Sequence, residues 1–134
     1  MTLGIRVKMK KFLVLEDSPT MRRVIVNAVQ KYEDSDVLGA ADGYDGIELL
    51  SKHKFDFFVI DWLMPNIDGL TFVRKIRSLE TYKNTPVLMI TTKSSKSDIV
   101  EAITAGIDDY VLKPIVPSIV LEKINTLFER KESK

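Results

Sequence analysis

Five short apolar runs punctuate this chain, and stretches with helical spacing separate them. The runs are Phe12–Leu15, Val37–Ala40, Phe57–Ile60, Val87–Ile90 and Tyr110–Leu112. Each is apolar almost throughout, which is how a strand buried on both faces reads. Between them Met21, Val24, Ile25, Ala28, Val29 and Tyr32 recur at helical intervals, and Ile47 and Leu50 do so weakly. Leu70, Val73, Ile76 and Leu79 form a third stripe, Ile99, Ala102 and Ile103 a fourth, and Val120, Ile124, Leu127 and Phe128 a fifth. The punctuation agrees. Ser18-Pro19 reads as an N-cap followed by proline at the first helical position, Asp68-Gly69 breaks the chain before the third helix, and Pro117 opens the last. Ala41-Asp42-Gly43 reads as a plain turn. Strand–helix units that begin with a strand predict an α/β fold, a parallel five-stranded sheet with helices on both faces.

Composition narrows the field. The 134 residues suit one domain, and no repeat, low-complexity tract or linker divides them. The expected layout is a flexible basic tail over 1–10, a domain over 11–130 and a short tail over 131–134, with Met1 or Met9 as the start. Hydrophobic residues at 45% and charged residues at 29% exclude a disordered chain. A net charge of +1 argues against binding nucleic acid, which needs excess positive charge facing phosphates. With the N-terminal Arg6, Lys8, Lys10 and Lys11 set aside, the body is mildly acidic. No cysteine means no disulfide, thiolate zinc site or cysteine nucleophile, and suits a reducing compartment, so the cytoplasm is the expected location. No apolar run approaches the ~20 residues of a membrane span, and the basic N-terminus lacks the apolar stretch of a secretory signal.

In open sheets of this kind the ligand site lies beyond the carboxyl ends of the strands. There the sequence places Glu16 and Asp17 after the first run, Asp61 after the third, Thr91 and Thr92 after the fourth, and Lys113-Pro114 after the fifth. Singly, each has an ordinary explanation: carboxylates cap helices, threonine favours strands, lysine sits in solvated loops. Together they do not. Three gathered carboxylates repel by ~1 kcal/mol per pair at 4 Å in water and more when half-buried, so a cation is expected among them. Lys113 supplies one charge, and Mg²⁺, a hard ion suited to a few carboxylates plus phosphate oxygens, would supply the rest. Such a site supports phosphoryl transfer, with Asp61 as the carboxylate nucleophile. The lone His53, in Ser51-Lys52-His53-Lys54, falls at a helix end and suits the helix dipole rather than carrying phosphate.

Leu15-Glu16-Asp17-Ser18, the run Ile60-Asp61-Trp62-Leu63-Met64-Pro65-Asn66-Ile67-Asp68-Gly69, Pro86 through Thr91, and Tyr110-Val111-Leu112-Lys113-Pro114 resemble the receiver domain of two-component response regulators. The likeness is greatest to the stand-alone receivers of chemotaxis and runs from about Lys11 to Arg130. It implies a flavodoxin-like strand order 2-1-3-4-5 and a chain that is no turnover enzyme, catalysing only its own phosphorylation and slow autodephosphorylation. It implies Asp61 as phosphoacceptor from a sensor histidine kinase, and Mg²⁺ (or Mn²⁺ in its place) held by Asp17, Asp61, Glu16 through water, and the backbone carbonyl of Leu63. Thr91 would contact the phosphoryl group and move toward it, Lys113 would pair with an acceptor oxygen through a cis bond to Pro114, and Tyr110 would be the aromatic switch. The output would be docking through the face of the fourth helix, fifth strand and fifth helix, where Ile99, Ile103, Ile115 and Val116 fall, or onward transfer. The partners left open are a flagellar motor switch protein, a histidine phosphotransfer protein, and a phosphatase.

The sequence departs from the family in places. Glu16 stands where Asp is commoner, Leu63 replaces a polar residue two positions after the acceptor, and Lys93 lies two after Thr91. In the family the last two positions flank the path of an attacking water, so Leu63 either impedes that water and prolongs the phosphorylated state or merely packs on its loop. A flavodoxin-like electron carrier would share the fold, but Glu16-Asp17 would repel a flavin phosphate. An aspartyl-phosphate phosphatase would carry its nucleophile on the first strand, whereas Asp61 follows the third.

Overall fold

The computed structural model describes residues 8–132. Along the chain lie β1 (Lys10–Leu15), α1 (Pro19–Val29), β2 (Ser35–Ala40), α2 (Gly43–Lys52), β3 (Phe57–Asp61), α3 (Gly69–Arg77), β4 (Val87–Thr91), α4 (Lys96–Ala105), β5 (Asp109–Leu112) and α5 (Pro117–Glu132), with a single 3₁₀ turn at Glu80–Tyr82. The strands form one parallel sheet in the order β2-β1-β3-β4-β5. The expected alternation and strand order are therefore those observed. The first and last elements begin and end slightly outside 11–130, and residues 1–7 and 133–134 of the two expected tails lie outside the described residues.

Alternating side chains of the central strands feed two cores. Phe12, Val14, Phe57, Val59, Leu88 and Ile90 point to one face, where α1 and α5 cover them with Ile25, Ala28, Val29, Val120, Ile124, Leu127 and Phe128. Leu13, Leu15, Phe58, Ile60 and Met89 point to the other, under Leu70, Phe72, Val73 and Ile76 of α3 and Ala102 of α4. Each fully buried aliphatic or phenyl side chain contributes roughly 1.5–3 kcal/mol. On the first face Phe128 meets Phe12 and Phe57 with ring centroids 5.9 and 5.2 Å apart, tying the last helix to the first and third strands.

The edges differ from the sequence expectation. β2 is only half-buried over most of its length, and among the described residues no strand pairs with its outer side. β5, at the opposite edge, leaves Leu112 exposed and Tyr110 half-buried. Val24 and Ile103 fit the helical stripes yet face outward, and Tyr32 and Leu79 lie past the ends of their helices but still pack on the core. Asp42-Gly43 is no plain turn: Asp42 caps α2, its carboxylate accepting from Asp45 N at 2.9 Å. The other caps are as read, with Ser18 accepting from Met21 N at 3.2 Å and Asp68 from Thr71 N at 2.8 Å. His53 does end α2, but its Nδ1 accepts from the Lys11 ammonium at 2.9 Å, so the ring serves a bond to β1 rather than the helix dipole. No helix among the described residues is long and apolar enough to cross a membrane.

Candidate functional site

Parallel register brings the strand ends to one edge. Leu15 of β1 lies beside Ile60 of β3, Asp61 beside Ile90 of β4, and Thr91 beside Leu112 of β5. The residues that follow, or end, these strands are therefore neighbours: Glu16, Asp17, Asp61, Thr91 and Lys113. Glu16, Asp61 and Thr91 are buried, while Asp17 is exposed.

Each is held by identifiable bonds. Glu16 donates its backbone N–H to Ala40 O (3.1 Å), accepts at Oε2 from Ser18 N (3.1 Å), and accepts at Oε1 from Lys113 Nζ (3.1 Å). The same ammonium lies 3.3 Å from Asp61 Oδ1, so one lysine following the edge strand bridges the carboxylate that follows β1 and the one that ends β3. The bond joining Lys113 to Pro114 is cis. The loop after Asp61 is folded tightly back: Gly69 N donates to Trp62 O at 2.8 Å, and a Cβ at Gly69 would come 2.3 Å from Asp61 O. Only glycine fits that approach, and Asn66 supplies the left-handed residue, at φ 68, that the reversal needs. Thr91 Oγ1 accepts from Lys93 N at 2.8 Å.

The electrostatics are those of a site short of positive charge. Burial pushes the Glu16 carboxyl up to about 7, with the nearby Asp61 charge adding to the rise and the Ser18 N–H opposing it. Burial likewise raises Asp61, against the pull of the Lys113 ammonium. Burial alone would lower Lys113, but its bonds to Glu16 and Asp61 outweigh that and hold it above the ordinary lysine value. Glu16, Asp17 and Asp61 each offer a carboxylate oxygen, all within 4.8 Å of one another. Three carboxylates facing one ammonium leave uncompensated negative charge, and the donors are all oxygen. That set fits a hard divalent cation such as Mg²⁺ and does not fit a thiolate- or imidazole-seeking metal.

The remaining sequence candidates fall around this centre. Leu63, in the loop after β3, is 55% exposed. Lys93 stacks its ammonium 4.4 Å from the centroid of buried Trp62 and lies 3.8 Å from Asp98 of α4. Tyr110 packs partly against the α3-side core and also lines an open recess of about 310 Å³ with Pro114, Val116, Ile119 and Lys123. Of the apolar residues assigned to that face, Ile103 and Val116 are exposed, whereas Ile99 and Ile115 are half-buried. Sequence reading passed over Arg22, whose Nη1 donates to Glu16 O at 2.8 Å. Its spacing, one helical turn after the Ser18 cap, was the only available sign.

A doubly wound sheet with this acidic edge, a lysine after the last strand and a buried threonine at the end of the fourth defines a response regulator receiver, and the chain belongs to the response regulator receiver domain family, whose model matches residues 12–125. Within that family it is CheY-like. It is 38% identical over 120 residues to the chemotaxis protein CheY of Pseudomonas aeruginosa, spanning 90% of this chain and 97% of that protein. It is 37% identical over 123 residues to chemotaxis protein CheY-3 of Vibrio cholerae, spanning 92% and 95%. The solved structure of chemotaxis protein CheY4 of Vibrio cholerae is similar at a TM-score of 0.84 and 31% identity, over 90% of this chain and 99% of that one.

Proposed function

We propose that the chain accepts a phosphoryl group on Asp61 from the phosphohistidine of a sensor kinase, in a Mg²⁺-dependent step, and passes the signal on by docking to a partner protein in chemotaxis. The observation that carries this reading is the single Lys113 ammonium bridging Glu16 and Asp61 beside a cluster with unspent negative charge. An Asp61 carboxylate oxygen attacks phosphorus, the O–P bond forms, the N–P bond of the donor breaks, and its electron pair leaves with the imidazole. Lys113 neutralises part of the charge on the acyl phosphate, and Thr91, whose oxygen accepts from the Lys93 N–H, has its own O–H free to hydrogen-bond a phosphoryl oxygen. Glu16, Asp17 and Asp61, with the Leu63 carbonyl, would hold Mg²⁺, which when bound supplies charge neutralisation for the transferring group.

The new group adds about −1.5 to −2 charge at the end of β3. Thr91 and Lys113 are the residues placed to bond it differently from the bare carboxylate, and both end or follow strands that lead to α4 and α5. Tyr110, at the recess beside exposed Val116 and Ile119, is the switch that reports the change to a docking partner, a flagellar motor switch protein. A cytoplasmic location accords with these roles. Leu63 and Lys93 set the lifetime of the phosphorylated state.

Incubation with acetyl phosphate, with and without Mg²⁺, followed by intact mass tests the reading. One added phosphoryl group is expected, dependent on Mg²⁺ and absent from Asp61→Asn. Addition that survives Asp61→Asn would overturn it.

A further inference from the structure

We propose that Arg22 is a positioning residue for the carboxylate cluster: its guanidinium fixes the Glu16–Asp17 peptide group and thereby holds Asp17 toward Glu16 and Asp61. The inference rests on the Mg²⁺-dependent reading above and extends it to a residue outside the cluster. Arg22 sits one turn into α1, where its own N–H closes the first turn on Ser18 O at 2.8 Å. Its side chain then runs back toward the strand ends. The stem lies over Gly39 of β2, where an added Cβ would come 3.2 Å from Arg22 Cδ, and Nη1 ends on the Glu16 carbonyl oxygen at 2.8 Å.

That carbonyl shares one planar peptide group with the Asp17 N–H, so fixing its direction fixes the direction in which the chain leaves for Asp17. Glu16 is already anchored on its other sides, by Ala40 at its N–H and by Ser18 and Lys113 at its carboxylate. Arg22 governs the exit. Asp17 is the exposed member of the cluster and has no burial to set its place. Beside Arg22 opens a recess of about 280 Å³, also lined by Asp45 and Glu48. Without the guanidinium, the Glu16 carbonyl loses this donor and the peptide is free to turn.

Charge and geometry give opposite forecasts for removing Arg22. By charge alone, losing a cation near three carboxylates tightens Mg²⁺ binding. By positioning, it weakens binding, because outer partners of metal-binding groups are worth roughly 10–100-fold in affinity. The test titrates MgCl₂ into the full chain and follows the amide resonances of residues 16–18 and 61, together with hydrogen exchange at the Ser18 amide. Arg22→Met keeps much of the stem and removes the charge, with Arg22→Gln standing in should that variant fail to fold. The dissociation constant is expected to rise by roughly 10-fold, the lower end of that range, with faster exchange at Ser18 and partial recovery in Arg22→Lys. Equal or tighter binding in the neutral variant, with Ser18 exchange unchanged, overturns the proposal while leaving the phosphoacceptor reading intact. A wild-type chain that neither binds Mg²⁺ nor takes up a phosphoryl group overturns both.

Discussion

The burial of Glu16 should be visible as a stability that falls with rising pH. The side chain is 1% exposed, and its carboxyl is pushed from an ordinary 4.5 up to about 7, chiefly by desolvation. Between those values the folded chain retains a proton that the unfolded chain has released. Stability is therefore full below the unfolded value and is lost as pH rises through the folded one. At 1.36 kcal/mol per pKa unit the loss is about 3 kcal/mol across the window. Asp61, also raised by burial, biases stability in the same direction. Glu16→Gln removes the titrating group, so its stability should fall less over that window, and its curve should pass above the wild type near the upper end. The assay is urea unfolding followed by Trp62 fluorescence at pH steps across the window. With m of ~1–3 kcal/mol/M, a 3 kcal/mol change moves the midpoint by about 1–3 M. Saturating MgCl₂ should flatten the wild-type slope, because the ion favours the ionised carboxylates. Parallel pH profiles for wild type and Glu16→Gln would refute the reasoning.

Three further outcomes follow from particular contacts. Arg77 donates to Gly106 O at 2.9 Å, to Tyr82 O at 2.8 Å and to Thr85 O at 2.7 Å, and pairs with Asp108 at 3.0 Å, so Arg77→Ala should cost about 3 kcal/mol of unfolding free energy in urea. Gly69→Ala drives a Cβ into the Asp61 carbonyl, a rigid neighbour, and should both lower the urea midpoint by an overpacking cost of about 1–3 kcal/mol and slow phosphoryl uptake from acetyl phosphate. Leu63→Asn should shorten the time to loss of the phosphoryl group, measured by intact mass after removal of the donor; an unchanged lifetime would refute the role given to Leu63.

What the sequence disclosed and what it hid follow from the range over which each signal acts. The central strands Phe57–Ile60 and Val87–Ile90 are buried on both sides, so their composition alone announces them. β2 and β5 have one partner each, and their burial depends on a neighbour far along the chain that no local pattern encodes. Val24 and Ile103 matched a helical period but lie at the margin of their stripes, where a rotation of one residue decides between core and solvent. The convergence of Glu16, Asp17, Asp61, Thr91 and Lys113 was legible because a parallel sheet sends every strand end to the same edge. Arg22 was not, because its bond to Glu16 runs backward from a helix to a main-chain oxygen, and main-chain oxygens leave no mark in a sequence. The pairing of Lys93 with Trp62 and Asp98 was hidden for a similar reason, since it joins three separate elements.

The Lys113 ammonium touches a partner 97 positions earlier in the chain. A nascent polypeptide leaving the ribosome would display Glu16, Asp17 and Asp61 long before the lysine that completes them. Until β5 is added to the edge of the sheet, the acidic edge lacks the ammonium that lies 3.1 Å from Glu16 and 3.3 Å from Asp61. A chain broken between Asp61 and β5 would therefore keep all three carboxylates without the lysine that bridges two of them.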